Sequence, residues 1–507
     1  MPSLEHRAWS TLVGGHGPKG QGMGIEAIDE AGAKARLRGY DDLPGPRGLP
    51  VVGNLLQVES TRLHQQLEHW CTEFGPVFRL HLGPRRAVVV GDHELIAAAL
   101  RDRPEGFRRT TRLEAVWTEM GLLPGVFGAN GETWRRQRRM VMTAFDPGHV
   151  KRFFPSLQRV AQRLASRWAL AADADRAIDV QADLMRYTVD TIAGLAFGAE
   201  VNTLQSDEDV IQRHLNQIFP AVFRRLFAPL PLWRWMPSKA DRQLLRSVPA
   251  VNAAVDGFVA QARARLQADP ARREHPANLL EAMLVAADEP DSGIDDQQVA
   301  GNVLTMLLAG EDTTANTLAW MIHLLWRHPA SLARATQEVR RVCADPLAPT
   351  LDELGQLDFV DACIHETMRL KPVAPLNTMQ ALRDTTLGDV RIPQGMLVMA
   401  VMRHDATHER HVPRAAAFEP DRWLAEGSAS QQGSSAKRIS MPFGAGPRIC
   451  PGRYLALLEM KVAMAVLLGR FEIRSVDTPD GREPRELLQL AMAPVGLTMR
   501  LAQHTRH

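Results

Sequence analysis

The chain has 507 residues, 45% hydrophobic and 23% charged, a composition that suits a soluble globular protein and excludes a disordered one. Sixty Lys and Arg against 58 Asp and Glu leave a formal charge of +2, which excludes the basic footprint of a general nucleic-acid binder. Four scattered cysteines exclude a disulfide scaffold or a four-thiolate zinc site and fit a reducing compartment.

Residues 1–40 are rich in Gly, Ala and charge, lack the apolar core of a secretory signal, and read as a flexible tail. No apolar stretch reaches the ~18 residues of a spanning helix, so a cytoplasmic location is expected. The prolines of Leu43–Pro50 forbid a helix and set an extended path. A short helix is predicted over Leu63–Phe74, stopped by Gly75-Pro76. Val77–Leu82 and Ala87–Val90, parted by Gly83-Pro84-Arg85-Arg86, predict a β-hairpin. From about residue 92 to 340 the apolar spacing is helical, in blocks parted by Pro or Gly. Between Leu215 and Met236, Phe219, Phe223, Phe227, Trp233 and Trp235 interleave with Arg224, Arg225 and Arg234. That pattern predicts a packed lid helix, with membrane contact at most peripheral.

The longest predicted helix runs from about Asp295 to Trp326, ~48 Å at 1.5 Å per residue. Acidic residues suit its start and His328-Pro329 its end. At its centre Ala309-Gly310-Glu311-Asp312-Thr313-Thr314 interrupts an apolar run with poor helix formers, and a local rule broken inside a well-formed element marks function. After Pro372 the pattern changes to short strands and turns, a further helix begins just after Cys450, and strands close the chain near 490–501. These elements predict one helix-rich domain over 41–502, with small sheets drawn from both ends and a short tail over 503–507.

Phe443-Gly444-Ala445-Gly446-Pro447-Arg448-Ile449-Cys450-Pro451-Gly452 describes a thiolate site in a tight loop before a helix. Glycines let backbone N–H groups turn inward, the helix N-terminus favours an anionic sulfur, and Arg448 suits an anionic ligand group. A lone cysteine is commonly buried and inert, but here every fixed position of FxxGxRxCxG is present. The segment resembles the haem-binding signature of the cytochrome P450 family. Three further segments resemble the same family in the same order: Trp134 with Arg138 (WxxxR), Ala309–Thr314 ([AG]GxxTT), and Glu366 with Arg369 (ExxR) followed by Phe418–Trp423, which carries Arg422. The resemblance spans residues 43 to 500.

It implies a mainly α fold with small β-sheets and a haem b whose iron is held by Cys450. Arg448, Trp134, Arg138, Phe443, Gly444, Gly452, Ala309 and Gly310 would surround the haem, with Trp134 and Arg138 on a propionate and Gly310 leaving room for O2. Glu366, Arg369 and Arg422 would form a buried charge triad that supports the pocket. Thr313 and Asp312 would be catalytic, delivering protons to oxygen at the haem. Leu304, Leu308, Val373, Ala374, Met492 and Ala493 would line an apolar substrate pocket. At Met379, where many members carry Arg or His for the second propionate, the match fails, and Arg383 would reach only if its loop shifted. His404, His408 and His411 have a spacing that one helical face would gather around a metal, but the family is irregular there and a structural or solvated reading is expected.

The function implied is O2-dependent monooxygenation of a hydrophobic small molecule. Electrons would come from a separate ferredoxin or flavodoxin with its NAD(P)H reductase, because the short stretch after Cys450 leaves no room for a fused reductase domain. Arg135, Arg136, Arg139 and Arg453 are candidates for the docking face. Two functions compete: a hydrogen-peroxide-dependent peroxygenase, whose relatives usually lack the acid–threonine pair, and a haem-binding sensor or carrier, which has no need of it.

Overall fold

In the computed structural model, residues 36–198, 202–205, 210–228, 230–424 and 435–504 are described. Helix α1 (Leu63–Phe74) stops at Gly75 and leads into the hairpin of β1 (Val77–Leu82) and β2 (Arg85–Val90). Its turn is two residues, not the four expected, because Arg85 and Arg86 join the ladder opposite Leu82 and His81. Gly83 at φ +60° takes the first central position, where glycine is favoured in such turns.

The chain continues through α2 (His93–Arg101), β3 (Phe107–Arg108), α3 (Thr111–Glu119), α4 (Gly131–Ala144), α5 (Pro147–Asp173), β4 (Ile178–Asp179) and α6 (Val180–Phe197). Then come α7 (Val210–Phe227), α8 (Lys239–Ala268), α9 (Ala271–Glu274), α10 (Leu279–Ala287) and the long α11 (Asp296–Arg327). Helices α12 (Pro329–Val342), α13 (Leu351–Gly355) and α14 (Asp358–Leu370) precede the strands β5 (Leu376–Ala381), β6 (Thr385–Leu387), β7 (Val390–Ile392) and β8 (Leu397–Val401). The last part holds α15 (Asp421–Leu424), α16 (Ser435–Ile439), α17 (Arg453–Arg470), β9 (Phe471–Asp477), β10 (Glu486–Leu488), β11 (Met492–Pro494) and β12 (Thr498–Gln503).

The largest sheet has the order β1-β2-β8-β5-β3, with β2 and β8 parallel and the other neighbours antiparallel. It joins the early hairpin to strands that follow α14, so the β portions of the two ends are one layer beside the helical body. The Asp295 side chain caps α11 by accepting from the Gln298 N–H, and Pro329 follows its end. The helix runs unbroken through Ala309–Thr314, where the Thr313 hydroxyl is satisfied by donating back to the Ala309 carbonyl at 2.8 Å and Thr317 repeats the bond to Thr313. Most of α11 is buried, which suits its largely apolar sequence.

Two expected boundaries move outward. Arg38, placed in the tail over 1–40, pairs with Asp389 at 2.7 Å and bridges Val390, so packing reaches at least to Arg38; residues 1–35 lie outside the described residues. At the other end Gln503 belongs to β12 and the His504 N–H donates to the Arg470 carbonyl, while 505–507 lie outside the described residues. Among the described residues no helix is long and apolar enough to cross a membrane.

Candidate active site

Cys450 ends a loop built by glycine. The Cys450 N–H donates to the Phe443 carbonyl at 2.9 Å, closing the loop on itself. Gly446 has φ +69°, and a Cβ there would lie 2.5 Å from the Leu100 carbonyl oxygen, so only glycine lets the loop rest on the end of α2. Gly452 is the N-cap of α17, which places the sulfur before a helix start. Burial pushes the Cys450 thiol up, while the Gly452 backbone amide and the charges of Arg138 and Arg453 pull it back. Cys71, Cys343 and Cys363 are buried, and Cys450 alone of the four is exposed.

It is exposed to a cavity of about 1940 Å³. Phe443, Gly444, Arg448, Cys450 and Gly452 form one wall; Thr305, Leu308, Ala309, Gly310, Asp312 and Thr313 of α11 form another; Trp134 and Arg138 come from α4. One region is crowded with cations. Arg103, Arg109, Arg138 and Arg448 all line the cavity, and burial lowers each: Arg103 and Arg448 to about 9, Arg109 to about 10. Among the described residues none of the four is ion-paired with a carboxylate. Nε and Nη1 of Arg103 and Nε of Arg448 are enclosed without hydrogen-bond partners. The remaining bonds go to neutral groups: Arg138 donates to the Ile449 carbonyl, Arg448 to the Ala129 carbonyl, and the Arg448 guanidinium stacks on Trp134 at 4.5 Å.

One buried and three half-buried cations gathered without counter-charge are unfavourable unless an anionic group completes the site. A planar cofactor with two carboxylates, facing a thiolate, meets that demand, so these residues fit a haem. Met379 does not contribute: it is fully buried in the core beneath the sheet with Val88, Ile96 and Val398. Arg383 points elsewhere, to Asp102 at 3.0 Å. The sequence reading missed Arg103 and Arg109; its one available signal was the arginine-dense stretch after α2.

On the α11 wall, burial raises the Asp312 carboxyl to about 6, against the pull of the Asn316 amide, which donates to it at 2.8 Å. The Gln181 amide donates to Asn316 Oδ1 at 2.9 Å, so a polar path leaves Asp312 toward α6. Neither Asn316 nor Gln181 was foreseen, since nothing local marks them. Gly310 lines the cavity, and a Cβ there would lie 2.6 Å from Ile192 Cδ1, so the glycine also lets α11 and α6 approach closely. Glu459 of α17 also lines the cavity, wholly buried and pushed well above the usual carboxyl range despite a bond from Thr314.

Leu308, Val373 and Ala374 line the cavity, joined by Phe223 and Phe227 of α7, whose rings meet at a tilt with centroids 4.7 Å apart. Leu304 does not; it lies off the Thr305–Leu308–Asp312 stripe and packs into the helical core. Met492 and Ala493 do not either. The Met492 N–H bonds the Val373 carbonyl and its side chain is fully buried, so the chain passes the cavity earlier, at Leu488–Ala491. The Phe219 side chain lies outside the described residues, and the segment's end is not packed as expected: Trp235 is 71% exposed. Trp233 instead donates to Glu119.

The charge triad is assembled. Arg369 and Glu366 are fully buried and joined by two bonds, Nε–Oε2 2.8 Å and Nη2–Oε1 2.7 Å. Arg422 and Trp423 donate to the same carboxylate at 2.9 and 2.8 Å. Arg369 also donates to the carbonyls of Ala406, Ala415 and Ala417, tying α14 to the segment before α15. The expected basic face is partly neutralised, because Arg135 pairs with Glu105 and Glu132 and Arg136 with Glu132; Arg139 and Arg453 remain exposed.

The family model for Cytochrome P450 matches residues 43–500. Protein LUTEIN DEFICIENT 5, chloroplastic, of Arabidopsis thaliana is 26% identical over 439 residues, covering 85% of this chain and 72% of that protein. A self-sufficient cytochrome P450 monooxygenase of Exserohilum turcicum is 28% identical over 487 residues, 91% of this chain and 42% of that one. Cytochrome P450 2H2 of Gallus gallus is 25% identical over 452 residues, 85% and 87%. The chain thus spans less than half the length of that self-sufficient relative. With almost the whole described domain matched, and its cysteine loop, buried triad and cationic pocket in place, this chain belongs to the cytochrome P450 family, oxidoreductases that hold haem b through a cysteine thiolate.

Proposed function

We propose that this P450 is an O2-dependent monooxygenase that hydroxylates or epoxidises a hydrophobic small molecule, with Cys450 as the residue that would hold the haem iron. The observation that carries the reading is that Cys450 and the Asp312–Thr313 pair open onto one cavity from different walls. Bound haem supplies the oxidising chemistry. Cys450 supplies electron density as a thiolate. Arg103, Arg109, Arg138 and Arg448 would hold the carboxylates of a bound haem, without the contact that is missing at Met379. Asp312, poised at about 6, takes and returns a proton near neutral pH, and Asn316 fixes its carboxylate. Thr313 Oγ1, held on the Ala309 carbonyl, is the hydroxyl nearest in sequence to that acid and hands the proton into the cavity. The apolar walls at Leu308, Val373, Ala374, Phe223 and Phe227 exclude water and select a hydrophobic substrate. Electrons arrive from a separate ferredoxin or flavodoxin with its NAD(P)H reductase.

The intact acid–threonine pair favours this reading over a peroxygenase or a haem carrier. Replacing Thr313 with Ala tests it. Coupled product is expected to fall at least ~100-fold, with more hydrogen peroxide released, the lower end of general acid effects. Unchanged coupling would refute the relay.

A further inference from the structure

The cavity holds a second group of cations, apart from those around Cys450, where α7 meets the hairpin. Arg85 opens β2 just after Gly83-Pro84, and Arg112 lies in the first turn of α3; both line the cavity. Each side chain reaches the C-terminal end of α7. Arg112 donates through Nη2 to the carbonyls of Arg225 and Ala228, at 2.6 and 2.9 Å, and through Nε to that of Leu226 at 3.3 Å. Arg85 donates through Nη1 to the same Leu226 carbonyl, also at 3.3 Å. Two guanidinium groups therefore share one acceptor oxygen.

The charges there do not balance. Among the described residues neither Arg85 nor Arg112 is ion-paired with a carboxylate, whereas Arg224 and Arg225 of the same region face Asp241. Burial lowers both Arg85 and Arg112, and the charge of Arg85 lowers Arg112 further. Glu119, the acid that acts on Arg112, is already held by Arg234 at 2.9 Å and by the Trp233 N–H at 2.7 Å. Carbonyls at a helix end carry about half a negative charge, against two full positive ones. Nε and Nη2 of Arg85 and Nη1 of Arg112 make no hydrogen bond among the described residues, so donors remain for a further acceptor. The group is separate from the one facing Cys450: Arg109 depresses both Arg103 and Arg448, while Arg85 and Arg234 depress Arg112.

We propose that the substrate is an amphiphilic acid, with one carboxylate held by Arg85 and Arg112 and an apolar body lying along the walls at Leu308, Phe223 and Phe227. This rests on the cavity being the substrate pocket, and adds that the pocket selects for charge as well as for hydrophobicity. A neutral molecule of the same shape leaves two cations facing the cavity uncompensated. A carboxylate instead takes charge-assisted N–H bonds, in the forked geometry that suits a guanidinium.

The test compares dodecanoate with dodecan-1-ol, which share a tail and differ in charge, by calorimetric titration of the full-length holoprotein at low salt. Wild type is expected to bind dodecanoate at least ~10-fold more tightly, the lower range for a charge-assisted hydrogen bond, and to lose part of that preference at high salt. Arg85→Gln should reduce the preference, and Arg85→Gln with Arg112→Gln should abolish it while leaving the affinity for dodecan-1-ol unchanged. If the double variant loosens α7 and weakens both ligands, Arg85→Gln alone decides, because Arg85 makes a single bond to that helix. Equal affinity of wild type for the two ligands, or a preference untouched by Arg85→Gln, would overturn the proposal. Binding is read without turnover, so carboxylate preference in a protein that oxidises nothing would count against the monooxygenase reading and not against this one.

Discussion

At Asp312 the sign of a single pKa displacement links stability to function. A folded-state value of about 6 lies above the ordinary carboxyl value, so the fold binds this proton more tightly than the unfolded chain does. The resulting stability is fully present below about pH 4 and is lost as pH rises through 6. Two units of displacement correspond to ~3 kcal/mol. Asp312→Asn should therefore gain stability relative to wild type as pH rises from 4 to 7, read as the difference in unfolding free energy, while coupled turnover falls. No change in that difference with pH would contradict the assignment.

Arg103 gives the opposite pairing. Its buried guanidinium has Nε and Nη1 unmatched, so Arg103→Met should stabilise the haem-free chain by ~1–3 kcal/mol. The same variant should lose haem faster to an acceptor protein. Slower or unchanged haem loss would remove Arg103 from the propionate site. Cys450, Thr313 and the triad were legible because each sits in a short pattern whose spacing carries its geometry. Arg103, Arg109 and Asn316 were not, because their meaning depends on what distant chain segments bring beside them. Leu304, Met492 and Ala493 show the complementary error: proximity in sequence to the cavity does not settle which face a side chain takes.

Among the elements, α11 shows how a poor helical sequence is kept helical. Back-bonding by Thr313 and Thr317 satisfies their hydroxyls inside the helix, and Gly310 allows α6 to lie against it. Gly310→Ala drives a methyl into Ile192, and overpacking of this kind costs ~1–3 kcal/mol. Adding Ile192→Ala should recover part of that loss, a coupling measurable in a double-mutant cycle; strict additivity would show that the two residues do not meet. In α14 the stakes are higher. Removing Arg369 leaves three carbonyls without their donor and the buried Glu366 carboxylate with only Arg422, Trp423 and the Glu419 N–H, so Arg369→Ala should cost ~3–5 kcal/mol and yield little folded holoprotein. The helix-rich order and the spans of α1 and α11 were readable from apolar periodicity and its breakers; the other helices were legible only as helical blocks. The two-residue hairpin turn was not, because Arg85 and Arg86 look like loop residues until they are paired across the ladder.

For the molecule as a whole, sheet order β1-β2-β8-β5-β3 explains why no linker divides the sequence: the early hairpin has no complete sheet without strands that follow α14. The same view revises the partner surface. Arg135 is already matched by two carboxylates, whereas Arg139 and Arg453 stand exposed. Arg139→Glu should lower partner-driven turnover several-fold, more at low salt than at high, and leave peroxide-driven turnover intact. Arg135→Glu should do less. Equal loss of both kinds of turnover in Arg139→Glu would argue against docking at that face.

The central claim is that Cys450 ligates haem iron as a thiolate, and the most direct measurement is the absorption spectrum of the purified protein after reduction with dithionite and exposure to CO. The strongly red-shifted Soret band of a thiolate-ligated haem is predicted for wild type, and its loss in Cys450→Ala. A band where imidazole-ligated haems absorb, or no haem retained after expression with haem supplied, would contradict the account.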